Sequence, residues 1–290
     1  PLLRPAEDDG DEAAPLAGVS DFRGRPVSRG GSGGWRSALF VVVLEIAGNF
    51  AFFGVSSNLI TYLTGPLGHS NAAAAAAVNA WSGTACLMPL LGALVADSWL
   101  GRYRSIILAC TLYILGYGMV TLASTLLQQK VAFFYASLYL IAMAQGADKP
   151  CALAFAADQF DPEHPKERAS RSSLFNWWFF SMAVGISISV AVVSYIQENV
   201  GWGIGFGMLC AIMVCTFIVF LSGTPTYRFC APTTDVESPF ARLGLRGGAQ
   251  HAPSVANLGG MPGVWCCICA NHDPIQQAGP HLGSLHLQRP

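Results

Sequence analysis

The sequence predicts an all-α integral membrane protein with six transmembrane helices, on three observations. Of its 290 residues, 52% are hydrophobic and only 11% are charged, against roughly 25% charged in a soluble domain. The charges are segregated: between Glu45 and Asp97 about 50 residues pass without Asp, Glu, Lys or Arg, and about 20 suffice to cross the hydrocarbon core as a helix. Three further charge-free stretches, 105–129, 172–197 and 199–227, are each long enough to span.

Taken in order, residues 1–37 are rich in Gly, Pro, Asp and Arg and hold no apolar core of a signal peptide. They read as a disordered cytoplasmic arm. The chain does not begin with Met, so it is expected to be incomplete at its N-terminus. Spans are expected at 38–64, 72–96, 105–127, 131–156, 173–196 and 203–222. Gly and Pro inside them (Gly54, Pro89, Gly116, Gly118, Pro150, Gly185) suit membrane helices, where neighbouring helices re-satisfy the freed backbone groups. The Ala run 72–77 lets helices approach closely or is plain apolar filler. Residues 223–290 read as the start of a cytoplasmic linker followed by an unstructured tail rich in Gly, Pro, Ala, His and Gln.

Basic residues set the orientation. Arg23, Arg25, Arg29 and Arg36 precede span 1; Arg102 and Arg104 join spans 2 and 3; Lys166, Arg168 and Arg171 join spans 4 and 5. The opposite connections carry only Lys130. The positive-inside rule therefore places both termini and the 2–3 and 4–5 connections in the cytoplasm.

Composition also excludes function classes. The net charge is −1 and the basic residues form no patch, which disfavours nucleic acid. The Cys in apolar runs (Cys86, Cys110, Cys210, Cys215) read as small buried hydrophobes. Cys266, Cys267 and Cys269 with His272 lack paired Cys-x-x-Cys spacing, so no metal site and no cofactor are expected. No Ser/His/Asp, Cys/His or phosphate-binding glycine arrangement falls where chemistry could use it, so no enzyme is expected.

Two places hold charge where a bilayer penalises it. Glu45 is the single formal charge of span 1, with Asn49 one turn on. An intramembrane carboxylate costs a few kcal/mol even on lenient scales of about 2.5–3.5 kcal/mol, and marks a functional candidate. In span 4, Gln145 and Lys149 lie four apart on one helix face, while Asp148 points roughly 100° away. Lys149 either snorkels to the cytoplasmic interface or faces a polar cavity and pairs with a carboxylate, for which Glu45 is the obvious partner. A compact loop, Asp97, Gly101, Arg102 and Arg104, joins spans 2 and 3; Gly101 permits the tight turn.

Several motifs in fixed order carry a resemblance: "NLITYLTGPLG", "NAWSGTACLMPLLGALVADSWLGRYRSI", "KPC…FAADQFD", "SSLFNWWFFSMAVG", "IQENVGWGIGFG" and "SGTPTYRF". Over residues 36–243 the chain resembles the plant nitrate/peptide transporter family, proton-dependent oligopeptide transporters of the major facilitator superfamily. The resemblance implies that the six spans form the N-terminal bundle of that twelve-helix fold. It implies a secondary active symporter for nitrate, a peptide or a related solute, in the plasma or vacuolar membrane, with the lipid bilayer, substrate and protons as partners. Asp97, Gly101 and Arg102 match the superfamily loop signature, and residues 155–161 match the family's "FGADQFD" with Ala156 in place of Gly.

On helix 1 the family carries Glu-x-x-Glu followed by Lys or Arg, paired with a helix 4 Lys. Glu45 matches the first Glu and Lys149 the helix 4 Lys; Gly48 and Asn49 stand at the other two positions. The resemblance thus implies that Glu45 is the surviving protonation site, with Asn49, Lys149 and Gln145 as cavity candidates. From about Leu245 the tail resembles nothing in the family, as an altered reading frame or retained intron would produce. A truncated carrier is the resulting expectation, inactive alone unless two copies assemble face to face. The alternative is a non-transporting membrane protein that associates with full-length relatives and modulates them.

Overall fold

The computed structural model describes residues 15–126 and 131–230, except the side chains of Pro15, Ala17, Asp97 and Ser98. The expectations for Lys130, for the Cys266–His272 cluster and for the tail lie outside the described residues. Six helices are long and apolar enough to cross a membrane. Span 1 is built from α1 (Gly34–Ser56) and the short α2 (Leu59–Thr64); spans 2 to 6 are α3 (Asn71–Val95), α4 (Arg102–Thr125), α5 (Val131–Ala157), α6 (Pro165–Asn199) and α7 (Trp202–Ser222). The protein is therefore an integral, multi-pass membrane protein with an all-α body.

Local chemistry explains the helix ends. Ser70 precedes α3 and its hydroxyl accepts from the Ala73 N–H at 3.3 Å, satisfying one orphan donor of the first turn. Gly101 reaches φ 75°, a left-handed conformation open to glycine, between a π-helical turn (Ala96–Leu100) and α4. Pro165 stands at the first turn of α6, followed by Glu167; a ring without an N–H and a carboxylate both suit a helix N-terminus. That start moves Lys166, Arg168 and Arg171 from the expected connection onto the helix itself. At 35 residues, α6 is about 52 Å long and outreaches a hydrocarbon core of about 30 Å.

Residues 15–37 depart from the expected disordered arm. β1 (Pro15–Ser20) pairs antiparallel with β2 (Pro26–Ser28) and, on its other edge, with β3 (Phe229–Cys230), giving the order β2-β1-β3. The helix of span 1 also begins at Gly34, ahead of the expected 38. The partner that orders β1 lies some two hundred residues away, so no local reading of the arm could find it. The pairing also puts the arm and the segment after span 6 at one end of the bundle. Arg102 pairs there with Asp158, and Tyr103 Oη lies 2.8 Å from Thr224 Oγ1, bringing the 2–3 and 4–5 connections to the same end.

The interior falls into two apolar clusters stacked along the helices. One, toward the sheet, takes Val41 and Leu44 from span 1, Ile106 and Cys110 from span 3, Cys151 and Phe155 from span 4, and Phe220 from span 6. The other takes Phe52, Tyr113, Ile141 and Leu209 from the same four spans. Trp81 of span 2 stacks on Phe52 with ring centroids 5.0 Å apart, and its Nε1–H donates to the Leu138 carbonyl at 2.8 Å. Helix backbones approach closely where span 2 crosses span 4: a Cβ on Gly146 would sit 2.6 Å from Met88 Cβ. Small residues at such crossings are what packing without a hydrophobic driving force selects.

Candidate functional site

Between the two apolar clusters lies a polar layer, near the middle of span 1 and in the half of span 4 toward the sheet. Span 1 places Glu45 and Asn49 one turn apart, facing inward; both are buried, Glu45 at 1% exposure. Span 4 brings Lys149 across to them. Its Nζ donates to Glu45 Oε1 at 2.6 Å and to Asn49 Oδ1 at 3.1 Å. The Asn49 amide completes the triangle by donating to Glu45 Oε1 at 2.8 Å. Lys149 thus pairs inside the bundle instead of snorkelling, and its side chain is 11% exposed.

The arrangement has a direct physical reading. Taking two charges out of water costs several kcal/mol per ion, and attraction repays that only with close contact and further hydrogen bonds. Asn49, neutral, serves both partners at once: its amide donates to the carboxylate and its carbonyl oxygen accepts from the ammonium. Gln145, expected on the Lys149 face, is buried in the same layer, but neither of its amide atoms has a hydrogen-bond partner among the described residues. Glu45 Oε2 and the hydroxyls of Tyr113 and Tyr117 are likewise unpartnered there.

The loop signature is placed in part. Gly101 makes its turn, Arg102 pairs with Asp158, and Arg104 is exposed; the Asp97 side chain lies outside the description. Reading the sequence missed a second charged cluster beside the sheet. Arg228, 2% exposed, donates to Glu167 Oε2 at 2.8 Å, to the Gln159 carbonyl at 3.1 Å and to the Arg29 carbonyl at 3.0 Å. Gln159 answers by accepting the Arg228 N–H at 2.8 Å, and Arg29 donates to Asp161 Oδ2 at 2.7 Å. Burial pushes the Asp161 carboxyl up, but the Arg29 hydrogen bond, the Glu163 N–H and the Arg29 and Arg228 charges outweigh it and hold it below its ordinary 3.8. The "FAADQFD" motif at 155–161 therefore ties both ends of the bundle's chain together. The only signal in the sequence was the motif itself, because its partners are Arg29 and Arg228.

Residues 103–247 match the family described as PTR2, POT family. Protein NRT1/PTR FAMILY 5.10 of Arabidopsis thaliana is 52% identical over 250 residues, covering 81% of this chain and 45% of that protein. Protein NRT1/PTR FAMILY 5.16 of the same plant is 49% identical over 246 residues, covering 77% and 43%. The chain thus spans about half the length of these relatives. Among solved structures, the POT family transporter PepTSo superposes with a TM-score of 0.64 at 22% identity, covering 80% of this chain and 47% of that one. An auto-inhibited POT family peptide transporter gives 0.64 at 23% identity, covering 81% and 49%. At that identity the likeness is one of fold: the six-helix body superposes on about half of each of those chains.

Proposed function

We propose, because this chain belongs to the POT family, that its bundle forms one wall of a proton-coupled carrier for a small solute: nitrate, a peptide or a related molecule. The observation that carries the reading is the Glu45–Lys149 pair, 2.6 Å apart and buried between the two apolar clusters. An ion pair held inside a membrane bundle is expensive, and such groups mark ion and substrate pathways. Protonation of Glu45 removes the charge that holds Lys149 and frees the ammonium for an anionic substrate group. Carriers of this architecture expose a midplane site alternately to each side by rocking one half against the other. A second bundle, from a longer chain, a second copy or a relative, completes the cavity in this reading. The membrane is the plasma or vacuolar membrane, as the resemblance implies.

The test is uptake of nitrate or a dipeptide into liposomes reconstituted with the protein, with and without an imposed pH gradient. Accumulation that follows the gradient and is lost in Glu45→Gln is the expected result. Flux that is equal with and without the gradient removes Glu45 from this role.

A further inference from the structure

The Glu45–Lys149 pair does not account for every ionisable group in its layer. Asp148, the residue before Lys149, is 2% exposed, and its Oδ1 has no hydrogen-bond partner among the described residues. Its Oδ2 lies against the bare backbone of span 1, where a Cβ on Gly48 would sit 3.8 Å away. The groups whose charge it feels or reaches are Glu45 on span 1, Lys149 on its own helix, and Cys110, Tyr113 and Tyr117 on span 3. Span 2 packs on span 4 without any charged side chain and offers only Cys86; span 5 has no titratable side chain between Arg171 and Tyr195.

Among the described residues the layer therefore holds two buried carboxylates and one ammonium. With both acids ionised, one negative charge is uncompensated, and a buried ion without a partner neutralises instead. Geometry decides which acid that is. Glu45 Oε1 receives both the Lys149 ammonium at 2.6 Å and the Asn49 amide at 2.8 Å, whereas Asp148 Oδ1 receives nothing. A proton on Asp148 also turns an unpartnered acceptor into a donor, in a layer where Glu45 Oε2 and Gln145 Oε1 both lack one.

We propose that Asp148 is a second proton-binding carboxylate of this layer, protonated while Glu45 is paired with Lys149 and deprotonated when that pair opens. In the release step the Asp148 O–H bond breaks, the proton leaves to water in the opened cavity, and the freed Lys149 ammonium is the counter-ion in the interval before an anionic substrate group takes it. The link to flux rests on the carrier reading above; the proton itself does not.

Infrared spectroscopy of the purified full chain in lipid tests this, comparing wild type, Asp148→Asn and Glu45→Gln at neutral pH, where exposed carboxyl groups are ionised. The expected result is a protonated-carboxyl C=O band in the wild type that shifts in deuterated buffer and on carbon-13 labelling of the aspartate carboxyl groups, and that disappears both in Asp148→Asn and in Glu45→Gln, where Lys149 is left to pair with an ionised Asp148. Absence of the band in the wild type overturns the proposal without reference to any variant. A band that persists in Asp148→Asn or survives in Glu45→Gln also overturns it, and one that moves with labelled glutamate but not with labelled aspartate assigns the proton to Glu45. A wild type that shows the Asp148 band but no gradient-driven nitrate or dipeptide uptake defeats the carrier reading and leaves the Asp148 proton standing.

Discussion

Replacing Lys149 with Met removes the ammonium while keeping most of the side-chain volume, and leaves Glu45 in a site only 1% exposed. Of the two hydrogen bonds that reach Glu45 Oε1, at 2.6 Å from Lys149 and 2.8 Å from Asn49, only the second survives. Removing one partner of a buried pair costs about 3–5 kcal/mol, because the remaining charge is uncompensated. Glu45→Gln is milder: it leaves Lys149 its Asn49 contact at 3.1 Å and its 11% exposure, so about 1–3 kcal/mol is expected. The double variant has no charge to strand, and should be more stable than the sum of the singles by about 2 kcal/mol, within the usual range for contacting residues. Reversible unfolding in mixed SDS micelles, followed by tryptophan fluorescence, measures all four proteins. Single effects that add to within about 0.5 kcal/mol would mean the two residues act independently, and the pairing argument would fail.

Three further outcomes follow from other parts of the fold. Gly146→Ala pushes a methyl into Met88, whose Cβ and carbonyl oxygen lie 2.6 and 2.7 Å from the new atom; the same unfolding assay should show a loss of about 1–3 kcal/mol, and an unchanged midpoint contradicts the close crossing of spans 2 and 4. Gly33→Ala strains a backbone at φ 72° and drives a Cβ into the Arg228 side chain, a cost of about 1–3 kcal/mol for the strain alone, so amide exchange across residues 15–28 should accelerate. The Arg29–Asp161 contact should weaken in acid. The folded Asp161 value lies below 3.8, so its contribution is complete above the unfolded value and is lost as pH falls through the folded one. Amide protection of β1 and β2 should drop on acidification in the wild type, and that dependence should flatten in Asp161→Asn.

The membrane class and the six spans were legible because long charge-free runs are a one-dimensional signal: a helix satisfies its own backbone, so each span declares itself. Glu45 and Lys149 were legible for the same reason, as charges in places where charge is penalised. Asp148 was weighed only as a residue pointing away from the Lys149 face. On an isolated helix that direction leads elsewhere; in the bundle, span 4 is enclosed by spans 1, 2 and 3, so two neighbouring side chains on different faces are both taken out of water. The ordered arm was illegible because β1 needs β3, and Arg228 needs the Arg29 carbonyl, across most of the chain.

The sequence by itself determined which segments cross the membrane and which few polar groups go in with them, because burial in lipid acts on each helix separately. Only the tertiary structure decided how those groups are matched. The distance between Glu45 and Lys149, the bridging role of Asn49 and the surplus carboxylate of Asp148 depend on how span 4 is rotated and pressed against span 1. Helix periodicity sets the face a residue occupies, but the neighbours a face meets are a property of the packed bundle.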